Sequence, residues 1–126
     1  MMGLLSGLMG LASGVDAAAL EKELGEVLVD GEVVEGAYRL IRDMMVFTNK
    51  RLILIDKQGM TGRKTAYTSI PYANISQFAI ETAGSFDADS ELRIWVRGTA
   101  QPITQEFGRG GAIHEVHRTL GKHVLK

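Results

Sequence analysis

The chain has 126 residues, 45% of them hydrophobic, with 14 Lys and Arg against 15 Asp and Glu and a formal net charge of −1. That is enough chain for one domain with a single core, and the near-neutral balance argues against the broad basic surface that nucleic acid or an anionic bilayer selects. The absence of cysteine excludes a disulfide framework, thiolate metal sites and thiol catalysis, and it suits a reducing cytoplasm.

The first fifteen residues carry no charge. Met1, Leu4, Leu8, Leu11 and Val15 step by three and four residues and would share one side of a helix. Gly3, Gly7, Gly10 and Gly14 weaken that helix by about 1 kcal/mol each relative to alanine, so it needs a surface to lie on. A frayed or core-packed end and a subunit contact through Leu8 and Leu11 are the two leading expectations. The segment lacks the basic start of a signal peptide and, at about 12 apolar residues against roughly 20, is too short to span a bilayer. No Lys or Arg lines its polar side, which disfavours an interfacial membrane helix.

Asp16 is placed to cap a helix over 17–28, and Asp30-Gly31-Glu32 ends it. Residues 16–35 hold seven carboxylates against Lys22, a net of −6, leaving 13 bases and 8 acids, a net of +5, in the remainder. An acidic front therefore faces a mildly basic body in the same chain or in a neighbouring copy. The expected organisation is a helical leader over 1–30 followed by a domain over 31–126.

From there to Phe107, short extended runs alternate with turn residues, which predicts strands near 33–42, 44–48, 51–57, 63–70, 74–82, 91–97 and 102–107. Between the second and third, Asn49 and Lys50 form a hairpin turn, because Asn tolerates the left-handed backbone that tight turns need. Leu52, Ile53, Leu54 and Ile55 are apolar on both faces of their strand, as are Met44 to Phe47, so both faces must be covered. Self-association is one way to cover the second face and the N-terminal helices are another. In the sixth strand Leu92, Ile94 and Val96 alternate with Arg93, Trp95 and Arg97. That leaves an outward Trp flanked by two guanidiniums, a combination enriched at interfaces and able to stack. After a glycine-rich break at 108–111, Ile113, Val116, Leu120 and Val124 recur at helical spacing and predict one amphipathic closing helix.

Catalytic chemistry is hard to assemble from these residues. His114, His117 and His123 all fall on the last helix, with no Ser-centred elbow or Cys partner to complete a triad, and the pair His114 and His117 is expected to be solvated on the helix face. A metal site from His114 and His117 lacks a third ligand at the right spacing. The acidic stretch 84–91 lacks the glycine and distal Glu of a calcium loop. Gly108 to Gly111 lies outside any nucleotide-binding pattern and reads as a linker. No metal, no cofactor and no enzymatic activity are expected. Lys50, Arg51, Arg63 and Lys64, at turns, are the candidate cations for an anionic ligand or membrane surface.

The segments FTNKRLILIDKQG (47–59), SIPYANI (69–75) and ELRIWV (91–96), together with the start GLLSGLMG (3–10), resemble the bacterial pleckstrin-homology (PH) domain family over nearly the whole chain. Thr48-Asn49-Lys50-Arg51-Leu52 is the most specific part. The resemblance implies a mainly β (α+β) fold, a seven-stranded antiparallel sandwich or barrel capped by a C-terminal helix. It also implies no catalytic activity and ring-shaped homo-oligomers, pentamers among them. Phosphoinositide-binding relatives place several cations in the first inter-strand loop, where this chain has Arg42 beside Asp43, so that specificity is not implied. The expectation is a cytoplasmic, non-enzymatic scaffold or binding module. Its subunit contacts would come from Leu8, Leu11, Met45, Phe47, Ile53, Ile55 and Trp95, with room for a further protein partner. The alternative is a peripheral membrane or anionic-ligand module.

Overall fold

The computed structural model describes residues 17–41, 43–58, 64–82, 89–108 and 112–126. Helix α1 (Ala17–Glu23) passes into a 3-10 turn (Leu24–Glu26). Seven strands follow: β1 (Val34–Arg39), β2 (Met44–Thr48), β3 (Arg51–Gln58), β4 (Lys64–Pro71), β5 (Ile75–Glu81), β6 (Ser90–Val96) and β7 (Ile103–Phe107), and α2 (Ile113–Val124) closes the chain. Every predicted strand is present with ends shifted by no more than about three residues, the usual uncertainty of boundaries. The helix expected to run through Leu28 stops earlier: the N–H groups of Val27 and Leu28 both donate to the Leu24 carbonyl, at 2.9 and 3.0 Å, so the last turn tightens instead of propagating.

The chain divides within β4 into two units, Met1–Ser69 and Ile70–Lys126. In the first, the strands are ordered β1-β2-β3-β4, with β2 antiparallel to both β1 and β3. The register sets Ala37 opposite Val46 and Val46 opposite Ile53. These three lie on one face, and with Val34 and Ile55 they form a core cluster with Leu20 and Leu24 of the helical segment, Val27 and Leu28 packing beside it. Alternate residues Tyr38, Met45, Phe47, Leu52 and Leu54 occupy the other face and are buried as well, with Tyr38 edge-on to Phe47 at 5.8 Å.

This arrangement corrects the expected subunit contact. Met45, Phe47 and Ile53 are 0% exposed and Ile55 2% in the lone chain, so they have no surface to offer a second copy. For Ile53 and Ile55 the N-terminal helical segment supplies the cover. Full burial of such side chains contributes about 1.5–3 kcal/mol each, which explains why the strand can be apolar on both sides. Leu8 and Leu11 lie outside the described residues.

In the second unit β6 is central and antiparallel to β5 and β7. Phe78, Ile94 and Ile103 sit opposite one another across the three strands. Helix α2 packs on β5 and β6 and buries Ile113, Val116, Leu120 and His123. Val124, expected on that stripe, is only half-buried, because the inward position at the end of the helix belongs to His123.

Candidate functional site

The β2–β3 hairpin is built around a buried carboxylate that the sequence reading treated as a turn residue. Gly31, at φ +80°, turns the chain so that Glu32 folds inward, its side chain fully buried. Its Oε1 accepts from the Val29 N–H at 3.0 Å and from Arg51 Nη2 at 2.8 Å. Oε2 accepts from Arg51 Nε at 2.8 Å and from the Thr48 hydroxyl at 2.7 Å. Burial works against the charge on Glu32, but the Arg51 guanidinium, the Val29 N–H and the Thr48 hydroxyl together hold its carboxyl down at about 2, as expected when several donors favour the ionised form.

The other motif residues complete the same device. Thr48 Oγ1 accepts from the N–H groups of Lys50 and Arg51 at 3.0 and 2.9 Å, which closes the turn. Asn49 uses its side-chain amide as a piece of backbone: Oδ1 accepts from the Val33 N–H at 2.8 Å and Nδ2 donates to the Gly31 carbonyl at 3.1 Å. Arg51 also donates to the Val27 carbonyl at 2.6 Å and to Ser69 Oγ at 2.8 Å. Arg51 is thus a clasp joining the segment after α1, the hairpin and β4, with four of its five N–H donors engaged inside the chain, which leaves little of it for an anion.

On the second unit, Arg93 and Trp95 share the outer face of β6, with Ala79 and Gln77 opposite them on β5. Trp95 is half-buried. Its flanking guanidiniums are engaged by other groups: Arg93 pairs with Glu91 at 2.5 Å and Glu81 at 3.5 Å, and Arg97 donates to the Ala73 carbonyl at 3.2 Å.

A cavity of about 170 Å³ opens between α1 and the first sheet, with Leu20, Met44 and Ile55 among its apolar walls and Glu23, Arg39 and Lys57 among its charged ones. Glu23 is already contacted by the Tyr67 hydroxyl at 2.8 Å and by Lys57 at 3.8 Å. Charges of both signs alternate here, so the cavity lacks the single-sign field that gathers a phosphate or carboxylate.

Comparison with known proteins agrees with this layout of strands. The profile of the bacterial PH domain family matches residues 3–124. The chain belongs to that family. Protein YjqA of Bacillus subtilis strain 168 is 50% identical over 120 residues, covering 94% of this chain and 96% of its own. A pleckstrin homology domain from Shewanella amazonensis SB2B is 46% identical with a TM-score of 0.79, covering 88% of this chain and all of its own. A pleckstrin-homology protein from Shewanella loihica PV-4 is 47% identical with a TM-score of 0.78, covering 91% and 98%. The two Shewanella proteins are named for the fold and for no ligand.

In this bacterial PH domain the four candidate cations do not converge. Lys50 and Lys64 are exposed, but Arg51 reaches Ser69, five residues along β4 from Lys64. That sets Lys64 roughly 17 Å along the strand from the hairpin end where Lys50 sits. Arg63 lies outside the described residues, as do most of the acidic stretch 84–91 and residues 109–111 of the glycine break. The histidines also part company. Only His114 is exposed; His117 meets Phe78 edge-on at 5.3 Å and the buried His123 stacks on Tyr72 at 4.2 Å. His117 is partly a packing group, which corrects the expectation that His114 and His117 are both solvated. Among the described residues no three His, Asp or Glu side chains are grouped to hold a metal, and no helix is long and apolar enough to cross a membrane.

Proposed function

We propose that this bacterial PH domain is a non-enzymatic cytoplasmic scaffold that assembles into a closed, ring-shaped homo-oligomer and offers the assembled surface to a further partner. Trp95 carries the reading. It is the chain's single Trp, it stands on the outer face of a central strand, and its neighbours Arg93 and Arg97 are exposed. Trp with Arg is the composition of interface hot spots, and nothing in the fold requires a large aromatic on that face. A head-to-tail contact that closes on itself protects such a face without open-ended growth.

The test is absolute mass by light scattering on a size-exclusion column. The intact chain is expected to elute as one multi-subunit species, and Trp95→Ala to lower the mass while leaving the melting temperature within a few degrees. A monomeric wild type overturns assembly. Cosedimentation with phosphatidylserine vesicles that collapses in salt and is lost in Lys50→Glu/Lys64→Glu would replace it with the anionic-surface reading.

A further inference from the structure

Two exposed surfaces remain that neither the clasp nor the Trp95 face uses, and they are complementary. Along the outer side of α2, His114, Arg118 and Lys122 follow at four-residue intervals, and Lys126 continues the series just past the helix; all four are exposed. Four-residue steps keep side chains on one side of a helix, so His114 to Lys122 makes a stripe about 12 Å long. At its end Leu125 is 73% exposed, an apolar group that stands between Lys122 and Lys126 in the chain. Near the start of the chain, Glu26, Asp30 and Gly31 are exposed, and among them Val29 is 56% and Val33 37% exposed. Here exposed apolar groups share a short segment with two exposed carboxylates. Among the described residues of their own unit, Arg118 and Lys122 make no ion pair, and neither do Glu26 and Asp30 in theirs.

We infer that the basic stripe of α2 in one copy docks against the acidic turn over residues 26–33 of the next, with Leu125 meeting Val29 and Val33. The inference rests on the assembly reading and names a pair of surfaces for it. A second copy is the occupant because every chain carries both signs: the front segment holds a net of −6 and the rest +5, so the complement arrives at equal stoichiometry. An apolar centre with a charged rim is the usual anatomy of a contact between proteins. Because the two surfaces differ, the contact is head-to-tail and can close into a ring. The Glu32–Arg51 clasp holds the acidic turn in one conformation, which lowers the ordering cost of docking.

Four chains test it by light scattering at matched concentration and at low and high salt: wild type, Arg118→Glu/Lys122→Glu, Glu26→Lys/Asp30→Lys, and the quadruple exchange carrying all four changes. Circular dichroism checks that each folds, which is expected because every changed side chain is exposed. Each double reversal should lower the mass to that of the single chain, and the quadruple exchange should restore it. An assembling wild type whose mass survives both double reversals overturns this contact and leaves the assembly reading intact. Loss without restoration in the exchange overturns the pairing. A monomeric wild type overturns both. Phosphatidylserine vesicle binding lost in Arg118→Glu/Lys122→Glu with unchanged mass assigns the stripe to a lipid surface and overturns the inference.

Discussion

Arg51→Met removes the guanidinium that holds the hairpin to the segment behind α1, and the structure sets the size of the effect. The Glu32 carboxylate accepts from four donors, and two of them belong to Arg51. Without them a fully buried carboxylate is left short of its countercharge, a situation that costs about 3–5 kcal/mol. An independent route gives the same size: a carboxyl held at about 2 in the fold against an ordinary 4.5 corresponds to roughly 3 kcal/mol. Because the folded value is depressed, this stabilisation is complete above pH 4.5 and is lost as pH falls toward 2, with about 2 kcal/mol of it gone at pH 3. Urea unfolding followed by circular dichroism, at fixed protein concentration and at pH 7 and 3, reads both effects. Arg51→Met should lose at least about 3 kcal/mol at pH 7 and show little further loss at pH 3. Glu32→Gln/Arg51→Met should cost less than the sum of the single changes, since the pair acts as a unit. A loss below about 1 kcal/mol, or an additive cycle, would refute the clasp.

Gly31→Ala places a Cβ in open space but at φ +80°, so it should cost about 1–2 kcal/mol from backbone strain alone, seen as a lower thermal midpoint. Asn49→Ala loses two bonds to the 31–33 segment and should cost about 1–2 kcal/mol in the same melt. Burial and the nearby Glu23 carboxylate push the Tyr67 phenol up to about 12. Its contribution to stability is therefore present below pH 10 and lost as pH rises through 12, and Glu23→Gln should bring Tyr67 part of the way back toward 10 in an ultraviolet titration. Ile53→Ala should cost about 2–5 kcal/mol of stability as a core truncation, which unfolding curves separate from a change in assembly alone.

The succession of strands was legible because each run is bounded by turn residues, with a clean alternation in the sixth, and Phe47 to Gly59 with its neighbours pointed to the fold family. What two-faced apolarity could not show was the covering element. Met45 and Ile53 read equally well as subunit contacts or as core until α1 was seen over the Ile53 face. Glu32 was hidden for a related reason: Asp30-Gly31-Glu32 looks like any acidic turn, and only its partners, 16 to 19 residues away at Thr48 and Arg51, distinguish a buried ion pair from a solvated one. His123 carried no signal of its own: a histidine at an inward helical position can be a packing group, and its stacking on Tyr72 depends on a 3-10 turn between β4 and β5 that local pattern does not announce.

The clasp also bears on what the domain recognises. A hairpin rich in cations would be the natural place to look for an anion, yet here Arg51 spends four of its five donors on Glu32, Val27 and Ser69, and Lys50 stands at the tip. A lone exposed Lys carries at most a weak, salt-screened attraction. Thr48, Asn49 and Arg51 are therefore a folding device in this chain, and what they position is the turn over residues 29–33. By holding Val29 and Glu32 together through the Val29 N–H, the ion pair keeps the exposed Val29-Asp30-Gly31 tip in one shape. A contact made through that tip needs the clasp intact even though no clasp residue touches the partner. Loosening it with Arg51→Met should then weaken assembly at protein concentrations and urea levels where the chain is still folded, whereas Ile53→Ala, matched for lost stability, should not.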